Sequence, residues 1–270
     1  MNVGDNGVLL LGCGKMGSAL LRGWLDAGFL CEQVTVMDPR PSDWLLGLQD
    51  KGVILNKLPE KAPSVAVIAT KPQIMSEAIP DVKAYGNGVT LFISIAAGTL
   101  IETFETLLGA ETPIVRAMPN TPAAVGKGIT ALVSNGNVGA SQLATAEMIF
   151  ATVGETVLLQ NEEQLHAVTA LSGSGPAYVF AMTEALISAG IGLGLSTDIS
   201  TRLATSTVAG AGALMKELDE HPSQLREQVT SPNGTTAAGL EVLLEQDNGL
   251  PETFRRCLSA AAERSRELGE

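Results

Sequence analysis

A glycine-rich turn near the N-terminus has the clearest chemical potential in the sequence. An apolar run, Val8–Leu11, precedes the turn, and a segment with apolar residues at helical spacing follows it. Glycines lack β-carbons, so backbone N–H groups and a helix N-terminus can approach a pyrophosphate closely. The alternative is that the glycines only make a tight turn. The pattern is G-x-G-x-x-G, and its candidate cofactor-binding residues are Gly12, Gly14, Lys15, Met16 and Gly17.

Two charged residues of opposite sign follow the next apolar run. Val34–Met37 is predicted to be the second strand, and Asp38 follows it where the adenosine ribose lies in dinucleotide-binding folds. A carboxylate there accepts a hydrogen bond from the ribose 2′-hydroxyl of NAD, whereas Arg40 could pair with the 2′-phosphate of NADP. The sequence therefore predicts a dinucleotide cofactor and leaves NADH and NADPH as open alternatives.

Two later strand ends add candidate cofactor-binding residues. Ligands of parallel α/β sheets bind at the carboxyl ends of the strands, so the turns after Val65–Ala69 and Val89–Ile95 should line the path toward the nicotinamide. For Lys71, an ordinary solvated loop lysine is the alternative. The candidates in these turns are Ala69, Thr70, Lys71, Pro72, Ala96 and Ala97.

A polar turn in the C-terminal part of the chain, residues 230–236, could bind a small carboxylate. It leads directly into an apolar helix predicted from Ala237. Unpaired N–H groups at a helix N-terminus attract an anion, and neighbouring hydroxyl groups can add hydrogen bonds. The alternative is an ordinary Ser/Thr cap of this helix. The candidate substrate-binding residues are Ser231, Gly234, Thr235 and Thr236.

Alternating strand and helix patterns position these turns. Near-continuous apolar runs separated by helical segments continue to about residue 160, which is typical of a mostly parallel sheet covered on both faces. Beyond that point the patterns are helical. We therefore predict a doubly wound, Rossmann-type α/β domain over residues 1–160 and an all-α domain over residues 161–270.

The predicted helical domain is poor in charge. Between Leu165 and Thr197 the only formal charge is Glu184, but several glycines and Pro176 interrupt the stretch, so a membrane span is the less favoured alternative. Small residues recur from Ala204 to Ala213, which allows another helix to approach closely. We expect a second copy of the chain to cover this surface in a homo-oligomer.

Composition excludes several classes of function. Seventeen Lys and Arg against 29 Asp and Glu give a net charge of −12, which disfavours nucleic acids and anionic membranes as partners. Three cysteines without paired spacing and two distant histidines indicate neither a disulfide framework nor a metal site. The polar N-terminus lacks the basic region of a signal peptide, so a cytoplasmic protein is expected.

The charged and ionisable residues outside these turns suggest structural roles. His166 lies in an apolar helical segment and His221 in a charged loop, so neither is expected to be an acid–base catalyst. Arg116 lies in an apolar run and needs a partner there, which favours a buried ion pair. Hydride transfer to a substrate that arrives already activated does not require a general acid.

Three motifs together resemble the pyrroline-5-carboxylate reductase family. They are Arg116–Pro122, Leu171–Tyr178 and Val229–Thr236, and the similarity runs over essentially the whole chain. The resemblance implies a dinucleotide-binding domain followed by a helical dimerisation domain, in dimers that often assemble into decamers. It also implies that NADPH or NADH delivers hydride to the C=N carbon of 1-pyrroline-5-carboxylate, the last step of proline biosynthesis.

The same resemblance implies roles in the polar turn. The family's Ser-Pro-Gly-Gly-x-Thr turn holds the substrate carboxylate on backbone amides, and its threonine, here Thr236, hydrogen-bonds the ring nitrogen and is the candidate catalytic residue. Asn233 stands where the family has the first of two glycines. Because Asn tolerates positive φ better than most residues, we expect the turn to persist. Lys71 also lies in a segment similar to the family, which favours its role in the cofactor turn.

Two other functions remain as alternatives. Another imine or hydroxyacid reductase on the same scaffold would be expected to carry a lysine or other general acid in the helical domain, where Lys216 is the only lysine. A non-catalytic dinucleotide-binding module would not need the polar turn.

Overall fold

The computed structural model of the chain describes residues 4, 6–71 and 75–269. These residues form two compact units. The first unit runs to Ser174 and also includes the segment from Ala261 onward, and the second unit is Gly175–Ala260. The boundary near residue 160 stays a prediction about functional domains, since residues 161–174 pack with the first unit.

An eight-stranded sheet forms the centre of the first unit. Its strands are β1 (Val8–Leu11), β2 (Val34–Met37), β3 (Ile54–Leu55), β4 (Val65–Ile68), β5 (Leu91–Ser94), β6 (Ile114–Met118), β7 (Gly128–Ser134) and β8 (Gly154–Leu158). The order is β3-β2-β1-β4-β5-β6-β7-β8, and every neighbouring pair is parallel except β6 and β7. The direction of winding reverses between β1 and β4, which is the point where ligands bind in such sheets.

Helices of the first unit accompany the sheet. They are α1 (Lys15–Asp26), α2 (Asp43–Gln49), α3 (Met75–Val82), α4 (Ile101–Leu108), α5 (Ala140–Ala151) and α6 (Gln164–Val168), and a π-helical segment, Thr169–Gly173, follows α6. The predicted doubly wound α/β fold is confirmed.

Apolar side chains cover both faces of the sheet, which explains why its strands are continuous apolar runs. Along β1 the side chains alternate between the faces. Leu10 packs in a buried cluster with Trp24 on one face, and Leu9 packs in a second cluster with Phe104 on the other. All four residues are fully buried. Burial on both sides selects for uninterrupted apolar residues.

The second unit is helical, as the sequence predicts. It contains α7 (Gly175–Gly192), α8 (Thr197–Leu218), α9 (Pro222–Gln228), α10 (Thr235–Leu243) and the first part of α11 (Leu250–Glu267). Within the part of the chain that the structure describes, no helix has both the length and the apolar character needed to cross a membrane.

The surface of α7 is unusually apolar for a helix left open to water. The structure describes every residue of α7, and this chain buries none of them. Phe180 is 64% exposed, and Leu186 and Ile191 are also exposed. Covering such a surface contributes about 25 cal/mol for each Å² of apolar area removed from water. The exposed face of α7 therefore fits the prediction that a second copy of the chain covers it.

The two buried faces of the sheet lead to a stability prediction. We expect Leu10→Ala to lower the free energy of unfolding by about 2–5 kcal/mol, because it removes buried methyl groups and leaves a cavity in the central strand. Leu46→Ala on α2 is the matched control, because Leu46 is 43% exposed. Both tryptophans, Trp24 and Trp44, lie in the first unit, so urea unfolding followed by tryptophan fluorescence reports on it. Equal losses in the two variants would contradict the packing described.

Candidate functional site

The glycine loop, Gly12–Gly17, joins β1 to α1, and its three glycines meet different requirements. Gly12 has φ +88°, and a β-carbon there would lie 2.9 Å from the carbonyl oxygen of Ala69. A β-carbon on Gly17 would collide with the carbonyl oxygen of Gly12, so Gly17 lets α1 pack closely against the strand. A β-carbon on Gly14 would meet no described atom within 4 Å. Gly14 therefore faces open space, where a ligand can approach the backbone.

The start of α1 has the electrostatic character of an anion site. Its cap residue is Gly14, and the described residues provide neither a side-chain cap nor an acidic residue in the first turn. Lys15 and Met16 begin the helix, with Met16 packed partly against the core. The first N–H groups of a helix lack intrahelical acceptors and carry a partial positive charge.

Asp38 is fixed beside the glycine loop. Its Oδ2 accepts a hydrogen bond from the backbone N–H of Cys13 at 2.7 Å, and its Oδ1 accepts one from the backbone N–H of Arg40 at 2.8 Å. Burial, together with the charge of Asp38, raises the pKa of the Cys13 thiol to about 11. Cys13 therefore stays protonated at neutral pH and is not a nucleophile.

A cleft of about 500 Å³ opens beside Asp38. It is lined by the predicted residues Asp38, Arg40 and Thr70, together with Asn56 and Asp81. Among the described residues, the hydroxyl oxygen of Thr70 is one of two buried side-chain atoms without a hydrogen-bond partner. A buried hydroxyl without a partner is costly, so Thr70 is a binding group that a ligand can satisfy. We call this space the Asp38 cleft.

The remaining predicted cofactor residues lie at the ends of β4 and β5. The N–H of Ala69 donates to the carbonyl of Leu11 at 2.8 Å, which places the end of β4 against the end of β1. Lys71 is exposed, and Pro72 lies outside the described residues. Ala96 is buried and Ala97 is exposed after β5. The structure thus places the glycine loop and the ends of β2, β4 and β5 at one edge of the sheet.

A glycine contact fixes the turn after Ala97. Gly98 has φ +78°, and a β-carbon there would lie 2.6 Å from the carbonyl oxygen of Leu268. The turn that follows α11 therefore packs directly against the turn between β5 and α4, within the first unit.

The expectation of a buried ion pair for Arg116 is confirmed. Arg116 on β6 is 5% exposed, and its guanidinium pairs with the carboxylate of Glu162. The same Oε1 of Glu162 accepts a hydrogen bond from the N–H of Ile101 at 2.8 Å, at the start of α4. Sequence reasoning missed Glu162 because the pair is separated by 46 residues and no motif joins them. Glu162 thus fixes β6 relative to the turn that contains Ala96 and Ala97.

The polar turn, in the second unit, leads into α10 without a side-chain cap. The cap residue is Gly234, and the structure, which describes the whole turn, gives α10 no side-chain cap hydrogen bond. The N–H of Gly234 donates to the carbonyl of Ser231 at 3.1 Å, and a β-carbon on Gly234 would collide with the hydroxyl of Ser231. Thr235 and Thr236 are exposed. The Ser/Thr cap considered as the alternative is therefore wrong for this turn, and its N–H groups remain open to an anion.

Asn233 shows how this turn keeps its shape without a second glycine. Its φ is +58°, in the left-handed region. Asn adopts this region more readily than most residues other than glycine. The expectation that the turn persists with Asn233 is confirmed.

The histidines make structural contacts. Nδ1 of His166 lies 3.0 Å from the hydroxyl oxygen of Ser265, and both residues are buried. Nδ1 of His221 lies 2.8 Å from the hydroxyl oxygen of Ser223 at the start of α9. Within the described residues, no group of three or more His, Cys, Asp or Glu side chains is arranged to hold a metal ion.

Comparison with known proteins agrees with this arrangement. Residues 162–268 match the family model described as pyrroline-5-carboxylate reductase dimerisation, and residues 7–98 match the model described as NADP oxidoreductase coenzyme F420-dependent. The pyrroline-5-carboxylate reductase of Corynebacterium melassecola is 36% identical over 97% of this chain and 98% of its own length. The chain belongs to the pyrroline-5-carboxylate reductase family. The resemblance carried by the three motifs is thereby confirmed.

Solved structures of the pyrroline-5-carboxylate reductase family share the complete fold. The enzyme of Coxiella burnetii is similar with a TM-score of 0.90 and 34% identity, covering 99% of this chain and 100% of that one. The Plasmodium falciparum enzyme, solved with NADP bound, has a TM-score of 0.83 and 31% identity, covering 98% of this chain and 99% of that one. The C-terminal region of this chain is thus a dimerisation domain of the family.

The buried ion pair leads to a second stability prediction. We expect Glu162→Ala to lower the free energy of unfolding by about 3 kcal/mol, because it leaves the buried Arg116 charge unpaired. Glu163→Ala is the matched control, since Glu163 pairs with Arg266 at the surface and an exposed pair contributes little. Urea unfolding measures both, and a double variant, Arg116→Met with Glu162→Ala, should recover most of the loss. No recovery in the double variant would contradict the assignment.

Proposed function

We propose that this chain reduces 1-pyrroline-5-carboxylate to L-proline by hydride transfer from NADPH or NADH to the imine carbon, the last step of proline biosynthesis. Membership of the pyrroline-5-carboxylate reductase family supports the reaction. The single observation that carries the substrate assignment is the uncapped start of α10, which offers backbone N–H groups to a carboxylate.

The glycine loop and the Asp38 cleft fit a dinucleotide. The open space beside Gly14 and the uncapped start of α1 suit a pyrophosphate, and the Asp38 carboxylate and Thr70 hydroxyl suit polar groups of the nucleotide. The relative from Plasmodium falciparum was solved with NADP bound. When bound, NADPH or NADH supplies the hydride. Lys15, Met16, Arg40, Ala69, Lys71, Pro72, Ala96 and Ala97 belong to the same proposed site.

The polar turn binds and orients the substrate in this proposal. The N–H groups in the first turn of α10, which follow the Gly234 cap, hold the substrate carboxylate, and the hydroxyls of Ser231 and Thr235 lie beside it. Gly234, whose own N–H donates to the carbonyl of Ser231, lets the carboxylate approach the backbone. Thr236 hydrogen-bonds the ring nitrogen. The arrangement uses the partial positive charge at a helix N-terminus, which is strongest in its first turn.

Little further chemistry is required of the protein. A cyclic imine is a stronger base than a carbonyl, so its protonated form is already electrophilic at carbon. The Thr236 hydroxyl accepts the hydrogen bond of the ring N–H and holds that proton on nitrogen. The main contribution of the protein is then orientation of the reacting carbon and exclusion of water.

The proposed assembly is a homodimer. The dimerisation domain supports it, and so does the apolar, exposed surface of α7. Association of dimers into a decamer extends the same proposal. A cytoplasmic location stays the prediction made from the sequence.

Steady-state kinetics test the activity. Oxidation of NADPH or NADH is followed at the nicotinamide absorbance, with 1-pyrroline-5-carboxylate as the only variable. Saturable oxidation with formation of proline supports the proposal. Nucleotide binding without oxidation would instead indicate a non-catalytic dinucleotide-binding module.

The role of Thr236 leads to a kinetic prediction. We expect Thr236→Ala to lower kcat/KM by about ten- to a hundred-fold, since a hydrogen bond to a charged group contributes about 1.5–3 kcal/mol. The melting temperature should change little, because Thr236 is exposed. Thr201→Ala is the matched control, because the Thr201 hydroxyl donates only to the carbonyl of Thr197 on α8. Unchanged kinetics in Thr236→Ala would remove the threonine from the reaction.

The dimer leads to a prediction about assembly. A β-carbon on Gly212 of α8 would meet no described atom of this chain within 4 Å, so the folded monomer tolerates a side chain there. We expect Gly212→Leu to dissociate the dimer and abolish activity, while the first unit still binds nucleotide. Gly47→Leu on α2 is the matched control, since its β-carbon position is equally open. Sedimentation measures the assembly, and a fully active wild-type monomer at micromolar concentration would contradict the prediction.

A further inference from the structure

We infer that this chain selects NADH over NADPH, and that Asn56 is a positioning residue for this choice because it holds Asp38 in place. The inference rests on the proposed function, since it concerns the same dinucleotide site. The observation that carries it is a set of hydrogen bonds joining Asn56, Asp38 and the glycine loop at the Asp38 cleft.

The Asn56 side chain makes two hydrogen bonds to the backbone of Asp38, and we call this pair of bonds the clamp. Its Oδ1 accepts a hydrogen bond from the N–H of Asp38 at 2.8 Å, and its Nδ2 donates to the carbonyl of Asp38 at 2.9 Å. Asn56 is itself anchored, because its own N–H donates to the carbonyl of Val36 on β2 at 2.9 Å. The clamp fixes the backbone of Asp38 just after the end of β2, so the Asp38 side chain leaves the backbone in a defined direction.

Asn56 has a backbone conformation that few residues adopt. Its φ is +53°, in the left-handed region, where glycine and asparagine are tolerated best. A residue held in this region signals a local requirement, which here is the double hydrogen bond to Asp38. No sequence motif marks Asn56, which lies in the cleft only because β3 returns the chain beside β2.

The Asp38 carboxylate is held so that it can accept hydrogen bonds from a ribose diol. Each oxygen receives one backbone N–H, from Cys13 or from Arg40. An ionised carboxylate has about four acceptor positions, so each oxygen keeps one for a hydroxyl. A 2′-phosphate offers acceptor oxygens and negative charge at the same place, and it is repelled where a 2′-hydroxyl is bound.

The charges that line the Asp38 cleft also disfavour binding of a 2′-phosphate. Among the described residues that line it, Asp38 and Asp81 are acidic and Arg40 is basic, which leaves a net negative charge. The backbone N–H of Arg40 donates to Asp38, so this residue helps to hold the carboxylate in place through its main chain. Two unit charges 4 Å apart at a protein surface interact strongly enough to change binding by about tenfold or more.

Nucleotide binding by the complete protein tests the inference without turnover. NADH and NADPH are titrated by nicotinamide fluorescence, and ADP-ribose and 2′-phospho-ADP-ribose by calorimetry, since these last two lack the nicotinamide. We expect NADH and ADP-ribose to bind at least about tenfold more tightly than their 2′-phosphorylated counterparts. Equal binding, or tighter binding of the phosphorylated nucleotides, overturns the inference. Failure of all four to bind contradicts the proposed function itself.

Two variants separate the carboxylate from its clamp. Asp38→Ser should bring the affinity ratio close to one, because it removes the charge that repels the 2′-phosphate. Asn56→Gly removes the clamp but keeps a residue that adopts positive φ, and it should reduce the ratio several-fold. An unchanged ratio in Asn56→Gly overturns the role of Asn56, and an unchanged ratio in Asp38→Ser overturns the role of the carboxylate.

A matched control accounts for general loss of stability. Asn87 also has positive φ, at +52°, and its Oδ1 accepts a hydrogen bond from the N–H of Glu111, away from the Asp38 cleft. Asn87→Gly should leave the affinity ratio unchanged. A reduced ratio in Asn87→Gly equal to that in Asn56→Gly would overturn the specific role of Asn56. If Asn56→Gly does not fold, the wild-type ratio and Asp38→Ser still decide whether Asp38 selects NADH.

Discussion

Helix N-termini without side-chain caps are the physical constraint on which both proposed binding regions depend. α1 begins after Gly14 and α10 begins after Gly234, and in neither does a described side chain satisfy the first N–H groups. Such groups require an acceptor, and water or an anion supplies it. Each helix also follows a glycine, and the missing side chain of that glycine allows a ligand to approach the backbone. The same arrangement, found in both units, therefore suits a pyrophosphate at α1 and a small carboxylate at α10.

The packing around α1 shows what keeps such an opening in place. Gly17 permits the helix to lie against the carbonyl of Gly12, and Asp38 draws the backbone of Cys13 toward the end of β2. The loop is thus held on two sides by interactions that do not use its outward face. Rigid support with an open face is the arrangement that lowers the entropic cost of binding.

The sequence predicted the parts of the fold that depend on local pattern. β1 and β2 have the predicted bounds, because their apolar runs are clear and their ends are marked by turn residues. β3 was not predicted, because a strand of two residues is too short to show an alternating apolar pattern. The motif residues of the candidate site were found for the same reason, as their spacing is local.

What sequence reasoning missed depends on distant contacts. Glu162 meets Arg116 across 46 residues, and Asn56 reaches Asp38 only because two strands pair. Neither residue belongs to a motif. The absence of a side-chain cap on α10 was also not predictable, because several hydroxyl residues near the helix start make a cap equally plausible from composition. The backbone geometry at Gly234 and Asn233 distinguishes a capped from an uncapped start of α10, and this geometry is known only from the structure.

The contact between Gly98 and Leu268 has a consequence for how the protein is made. The turn after β5 packs against residues that the ribosome adds much later, after all of the second unit. During synthesis the early strands can pair, but this edge of the sheet stays incomplete while the helices of the second unit emerge. The nascent chain therefore completes this contact only at the end of translation, after the helices of the second unit have been made.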